Sequence, residues 1–554
     1  MMLVGCDAAN INNQEDPEAG EGSESGARAG VWSDPRPDIV FISIDDLNDW
    51  PTPFEGPKPA QVYTPNLERL GNMGTVFQRA YCAAPMCGPS RSATLTGLPP
   101  YISGVTQQEN ILNPKPELGP LLVTPSATLP RLLKDGGYRT CGAGKVFHGG
   151  GYAKVAQTFP ACGTNPNHAA YDYCAWDDYA FLSKLVPEDY CEPDPENGDI
   201  SDSAQPCPHP FSLATSPLPD AAVARYGIDA LKTKNKGGPL FLALGFFKPH
   251  KDWEAPQEFV DLYPEDSLVG LDAAVEKADQ DDLSFAGCVT IRDARDSPSD
   301  ETWGAATREA IAAYLGCISY VDHLLGALLD VIEERSRRTV VVLWSDHGYF
   351  MGEKRSWKKP SLFERATRVP LIIVDTGAPN PQSTHKMASL MDLWPTVLDY
   401  AGLEDPLGYG VSLRPLVEDE TCQWDQTSVI STFNFQKDFE YKKTTGYNED
   451  VVRCVSESKV AACSPDIKYA CPTHLSRLAG ASFALRSERY RYIRYYDNGR
   501  FWADGGGALP TRELYDLELD PNEVTNLLAA KNVTKEFEAL ADELDLELSA
   551  SLEG

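Results

Sequence analysis

The stretch Arg36–Asp46, RPDIVFISIDD, is a short continuous apolar run that stops on two carboxylates. A strand covered on both faces by helices reads this way, because no position along it faces water. Three other stretches follow the same grammar: RTCGAGKVFH (Arg139–His148), PLFLALGFFKPH (Pro239–His250) and RTVVVLWSDHG (Arg338–Gly348). Each is a β-branched or aromatic run closed by polar residues. Helical patterns lie between them: TPNLERLGNMG (Thr64–Gly74), ATLPRLLKDGG (Ala127–Gly137) and AIAAYLGCISYVDHLLGALLDVIEER (Ala310–Arg335). The last repeats apolar residues at i, i+3 and i+4. This alternation predicts an α/β fold with a large, mainly parallel sheet sandwiched by helices. Ligands of such sheets bind beyond the carboxyl ends of the strands, so the polar ends of the four runs are expected to converge on one site.

The 554 residues suit a large α/β domain with a smaller appended one. Stretches near 155–215 and 265–300 are rich in Pro, Asp and Cys and read as surface insertions. From about Thr421 strands shorten and turn residues multiply. SFALRSERYRYIRYYDNGRFW (Ser482–Trp502) alternates aromatic and basic residues, as an antiparallel hairpin does, and a C-terminal helix follows. The predicted division is a tail at 1–36, a catalytic domain at 37–420 and a C-terminal α+β subdomain with a short antiparallel sheet at 421–554. In the tail, Leu3-Val4-Gly5-Cys6 resembles the lipobox of bacterial lipoproteins, and a Gly/Ser/Glu-rich tether follows. The basic segment and longer apolar stretch of a signal peptide are missing. A lipid anchor at Cys6, and a periplasmic, cell-surface or secreted location, are the expectations; a plain unstructured tail is the alternative.

Lys and Arg total 49 against 81 Asp and Glu, a net charge of −32. With no basic excess, nucleic acid is excluded as a general partner. An anionic substrate would need a local cationic pocket that overcomes the overall field. No run is expected to reach the ~20 apolar residues of a membrane helix. Of 14 cysteines, Cys6 and Cys87 stand apart. The other twelve include two clusters, Cys162, Cys174, Cys191 and Cys207, and Cys422, Cys454, Cys463 and Cys471. No C-x-x-C pair favours zinc, so disulfides in an oxidising compartment are expected.

Asp45 and Asp46 are adjacent acids at a strand tip, which repel unless a cation sits between them. A helix cap with a solvated acid is the plainer account. Asp346-His347 ends another run, giving three carboxylates and an imidazole. Hard oxygen ligands favour Ca²⁺ or Mg²⁺, and the imidazole favours a transition metal. Lys145 and His148 share GKVFH, Lys248 and His250 share KPH, and Lys359 follows the Asp346 tip by a short loop. Only eight histidines exist, and three of them end apolar runs. A cation, these donors and a helix start at Cys87 would bind a tetrahedral oxyanion such as sulfate or phosphate.

The segment CGPSRSATLTG (Cys87–Gly97) matches C-x-P-S-R-x-x-x-L-T-G at every fixed position. With SIDD, GKVFH, KPH and SDHG in order, and LYDLELDPNEVTNL near the end, the chain resembles the formylglycine-dependent sulfatases of the alkaline phosphatase superfamily. The pattern is most similar to the iduronate-2-sulfatase branch. The resemblance implies that a maturase converts Cys87 to Cα-formylglycine, whose hydrate attacks sulfur and later expels sulfate. It implies one Ca²⁺ held by Asp45, Asp46, Asp346, His347 and the residue-87 oxygen. It implies that Arg91 orients the diol, Lys145 and His148 hold it with His148 as base, and His250 and Lys359 bind sulfate and protonate the leaving alcohol. The branch often has an apolar residue and proline after KPH; here Lys251-Asp252-Trp253 stands instead. Lys251 is expected to meet a carboxylate or second sulfate, and Trp253 to stack on a sugar. The implied substrate is a sulfated uronic acid or other sugar, with simple aryl or choline sulfates as the alternative. A two-zinc phosphatase or phosphodiesterase would carry Ser or Thr at position 87. A non-catalytic carbohydrate-binding descendant would have lost part of the set, which is complete.

Overall fold

The computed structural model describes residues 35–56, 61–106, 128–148, 175–180, 205–207, 211–234, 238–268, 300–351, 353, 357–434, 481–495, 512–529 and 532–553. Cys6 with its tail, and most of both expected insertions, lie outside these residues.

Nine strands form the main sheet: β1 (Asp38–Ile44), β2 (Thr75–Tyr81), β3 (Arg139–Gly144), β4 (Asp178–Ala180), β5 (Leu240–Phe246), β6 (Thr339–Ser345), β7 (Arg368–Val369), β8 (Leu371–Asp375) and β9 (Gln382–Ser389). The order is β7-β2-β8-β6-β1-β5-β3-β4, and β9 pairs with β2. β1 runs parallel to β5 and β6, and β3 parallel to β4 and β5. β8 is antiparallel to its neighbours β2 and β6, so the sheet is mixed but mostly parallel. Every residue of β1, β5 and β6 is buried, the physical reason for their unbroken apolar runs.

Alternate residues of β1 feed two cores. Val40, Ile42 and Ile44 join one side with α1 (Pro65–Gly71), and Ile39 and Phe41 join the other with residues of α2 (Cys87–Thr96) and α3 (Leu129–Asp135). The first side also holds α4 (Pro219–Thr233) and α5 (Asp300–Glu333), and the second α6 (Leu393–Ala401). The stretch Arg308–Glu333 of α5 contains an 18-residue window of mean hydropathy 1.5 that would pass for a membrane span by length and composition alone. Here 83% of its most apolar window is buried against the sheet and its neighbours, so it is a core helix.

A second sheet of four antiparallel strands comprises β10 (Ser428–Asn434), β11 (Ala481–Ser487), β12 (Tyr490–Tyr495) and β13 (Arg512–Asp516). Helix α7 (Lys535–Glu553) packs Leu544, Leu548 and Leu552 on one face of it. The other face meets the main domain through Phe433, Ala484, Ile493 and Tyr515, which surround Met86, Leu362 and Phe363. Asn434 pairs with Ala481, Ser482 with Tyr495, and Arg494 with Arg512, all at one end of this sheet.

The cysteine expectation needs correction. Cys82, Cys141 and Cys317 are free and buried, packing in the core as small apolar residues. Cys422 is disulfide-bonded.

Candidate active site

Register brings the strand tips together. Ile44 pairs with Phe246 of β5 and Ser345 of β6, so Asp45 and Asp346 leave the sheet side by side. Gly144 of β3 pairs with Gly245 of β5. A side chain at Gly144, whose φ is +75°, would meet the Gly245 carbonyl, so this close crossing requires glycine. Lys145 follows it immediately. Asp46 takes a left-handed conformation (φ 63°) and donates its N–H to Asp346 Oδ1 at 3.2 Å.

Cys87 is the first residue of α2, and no side chain caps this helix start. Its sulfur lies 3.2 Å from His347 Nε2 and 3.3 Å from Lys359 Nζ, and His148 is close enough for its charge to be felt there. Four residues on, one helical turn, Arg91 is fully buried beneath it. Arg91 Nε donates to Asp346 Oδ2 at 2.8 Å. Nη1 donates to Ser43 Oγ at 3.0 Å, to the Val146 carbonyl at 3.2 Å and to the Lys145 carbonyl. Ser90 Oγ donates to the Asp346 carbonyl at 2.5 Å. Lys145 pairs with Asp45, and Lys359 Nζ sits 2.5 Å from Asp46 Oδ1. His347 Nδ1 donates to the Gly348 carbonyl at 2.9 Å, so Nε2 faces Cys87 and would offer its lone pair to a cation once unprotonated. His250 donates through Nδ1 to the Lys251 carbonyl and turns its other nitrogen toward Asp46 and Cys87.

The donor set fits a cation. One ligand atom from each of Asp45, Cys87, Asp346 and His347 lies within 4.8 Å of the others, and Asp46, Cys87 and His250 form a second such group. Asp45 Oδ1 is buried and accepts no hydrogen bond, the Arg91 Nη2 that faces it standing off at 3.6 Å. A buried carboxylate oxygen without a donor is costly unless a positive ion meets it. Burial pushes the Asp346 carboxyl up to about 7 despite Arg91. Burial lowers His347, but Asp346 and Cys87 carry it up to about 9. A divalent ion would reverse both tendencies, favouring ionised carboxylate and neutral imidazole. Burial and Asp45 push the Cys87 thiol up, yet Lys145, Lys359 and His347 together hold it well below the usual thiol range. Burial pushes His250 down to about 4 and lowers His148, so both are neutral imidazoles beside ammonium groups.

Asp45, Asp46, Cys87, Arg91, Lys145, His148, His250, Asp346, His347 and Lys359 thus meet in one cluster. Lys251 is half-buried on the loop after His250. Trp253 does not stand at a rim. It is 5% exposed, its Nε1 donates to the Pro249 carbonyl at 2.9 Å, and its ring packs edge-on against Tyr314 and Tyr349. It supports the His250 loop from beneath. Lys248 also turns away, to Glu254 Oε2 at 3.1 Å. Three positioning groups escaped the sequence reading. Tyr314 OH donates to the Asp46 carbonyl at 2.7 Å and accepts from Asn48 N at 3.0 Å. Asp220 accepts from Phe247 N and Lys248 N at 2.7 and 3.0 Å, fixing the start of the His250 loop. Ser43 supports Arg91. A lone hydroxyl in an apolar helix or strand gives no signal of its distant partner.

A metal-fitting, cation-lined cluster at the tips of a mostly parallel sheet, with a buried thiol at a helix start, defines a hydrolase of the alkaline-phosphatase-like fold. The chain belongs to the sulfatase family: the Sulfatase family model matches residues 37–403. It is a sulfuric ester hydrolase. A sulfatase of Formosa agariphila is 32% identical over 387 residues, covering 67% of this chain and 70% of that protein. The iduronate 2-sulfatase of Mus musculus is 26% identical over 540 residues, covering 87% of this chain and 89% of that protein. The phosphonate monoester hydrolase of Agrobacterium radiobacter shares the fold, with a TM-score of 0.66 at 19% identity over 93% of this chain and 95% of that one.

Proposed function

We propose that this sulfatase removes an O-sulfate from a uronic acid or other sugar of a sulfated oligo- or polysaccharide, using residue 87 as formylglycine. The observation that carries the reading is the position of Cys87. It opens a helix inside a complete maturation motif, with His347, Lys359 and His148 around its sulfur. Formylglycine supplies a hydrated aldehyde as nucleophile and an internal route for sulfate release. Asp45, Asp46, Asp346 and His347 would hold one Ca²⁺, which when bound neutralises oxyanion charge and polarises oxygen.

The chain's own residues do the rest. Lys145 and Lys359 place ammonium groups where sulfate oxygens gain charge. His148, next to residue 87, takes a proton from its oxygen. His250, neutral before sulfate binds, would take up a proton as the charge of the sulfate arrives, bind the ester oxygens and with Lys359 return a proton to the leaving alcohol. Arg91 locks Asp346, Ser43 and the Lys145 turn into one frame. A screen of defined sulfated oligosaccharides, each with one sulfate position, tests the substrate. Release of sulfate from aryl or choline sulfate but from no sugar would overturn the sugar reading. We also propose a lipid-anchored, extracytoplasmic enzyme on the Leu3–Cys6 motif, which lies outside the described residues; fatty-acid labelling that survives Cys6→Ser would refute it.

A further inference from the structure

The small C-terminal sheet grips both chain segments that lead to the reacting residue. From β10, Ser431 Oγ donates to the Cys82 carbonyl at 2.6 Å and Thr432 N to the Ala83 carbonyl at 2.8 Å. Phe433, Ala484 and Ile493 pack on Met86, the residue before Cys87. A buried ion cluster holds the other segment. Arg491 of β12, fully buried, donates through Nη1 to the Leu362 carbonyl at 2.7 Å and through Nη2 to Glu364 Oε2 at 2.5 Å. Its Nε lies 2.7 Å from Glu523 Oε1, while Glu523 Oε2 accepts from Glu364 N at 2.8 Å. Tyr81 OH donates to the remaining oxygen of Glu364 at 2.8 Å. Leu362 and Glu364 lie three and five residues after Lys359.

We infer that Arg491 and Glu364 are positioning residues: through them the small sheet sets the distance between the Lys359 ammonium and residue 87. A buried ion cluster is a poor choice if cohesion alone is needed, because apolar residues of similar volume stabilise as well or better. What the guanidinium fork adds is direction, since its two nitrogens fix a backbone carbonyl and a carboxylate at once. Lysine has donors enough for both but on one freely rotating nitrogen, so it cannot fix their relative direction as the planar fork does. The chain between Leu362 and Lys359 is short and closed by a Ser361 N–H to Lys359 carbonyl bond of 2.7 Å. A displacement at Leu362 therefore reaches Lys359. A shift near 1 Å at a reacting group costs on the order of 10²-fold in rate.

The inference rests on the proposed role of Lys359 toward sulfate, and Arg491→Lys in the full, matured chain tests it. With a chromogenic aryl sulfate, kcat is expected to fall about 10- to 100-fold while KM stays within about threefold. Formylglycine content by peptide mass spectrometry should match the parent. Amide exchange over residues 359–367 should quicken about tenfold, and that of β1, β5 and β6 should not change. An unchanged kcat, or a loss matched by lost formylglycine or lost folded protein, overturns the inference. Should Arg491→Lys not fold, Glu364→Gln, which keeps the side-chain shape, is held to the same results. Absence of turnover in the matured parent enzyme would instead sink the sulfatase chemistry proposed above. The exchange measurement then still decides the positioning claim, and unchanged exchange refutes it.

Discussion

Replacing Tyr314 with phenylalanine removes a single oxygen from the middle of α5. That oxygen bridges the Asp46 carbonyl at 2.7 Å and the Asn48 amide at 3.0 Å, on either side of the left-handed turn that aims Asp46 at the cluster. The rings of Trp50, Trp253 and Tyr349 surround it, so no water is expected to take its place. One buried donor and one buried acceptor are left unmade, each costing ~1–3 kcal/mol. The expected loss is about 2–4 kcal/mol in the urea transition of the main domain, with an unchanged m-value. The same variant should bind Ca²⁺ more weakly, because Asp46 leaves its φ of 63° more readily. Titration calorimetry of the metal-free enzyme measures this. A stability loss below about 1 kcal/mol with unaltered Ca²⁺ affinity would refute the idea that Tyr314 holds the turn.

Cys87→Ala is expected to abolish sulfate release, and the residue-87 peptide of enzyme from a maturase-containing host should lack its thiol; full activity in the variant would end the mechanism. Elemental analysis should return one calcium per chain, and two zinc ions would favour a phosphatase-type site. Trp253→Ala should cost about 3–5 kcal/mol through the cavity it leaves. It should not change the preference between aryl and sugar sulfates; a stable variant with altered preference would return Trp253 to the substrate. Asp322 accepts from the Asn66 and Leu67 amides, and burial raises its carboxyl to about 6. The folded chain then keeps a proton that the unfolded chain has released above pH ~4, so Asp322 withdraws stability as pH rises from ~4 to ~6, about 3 kcal/mol in all. The deficit of Asp322→Asn relative to the parent should therefore shrink across that window in urea titrations, and a constant deficit would contradict the assignment.

The strand tips were legible because covered strands must be apolar along their length, so the polar residue that ends each run is conspicuous. Asp45, Lys145, His250 and Asp346 were found in this way. The direction of β8 was not legible, since LIIVD reads alike whichever way it runs. Trp253 was misread because polar neighbours, Lys251, Asp252 and Glu254, suggest a surface loop. Its ring turns inward to Tyr314 and Tyr349, residues contributed from far along the chain. The free cysteines could have been recognised: Cys141 lies inside a strand run and Cys317 inside a helical one, where packing explains a thiol better than pairing. Tyr314, Asp220 and Arg491 act across separations that periodicity does not encode.

The pairings Asn434 to Ala481 and Arg494 to Arg512 have a consequence for engineering. Two long connections, 435–480 and 496–511, leave and re-enter the small sheet at the same end, where Thr432 is bonded beside the approach to Cys87. The strand ends at Asn434 and Ala481 are paired, and Thr432, two residues in from that end, holds the Ala83 carbonyl. Substitutions at this end of the small sheet thus act on the approach to Cys87 as well as on the sheet itself.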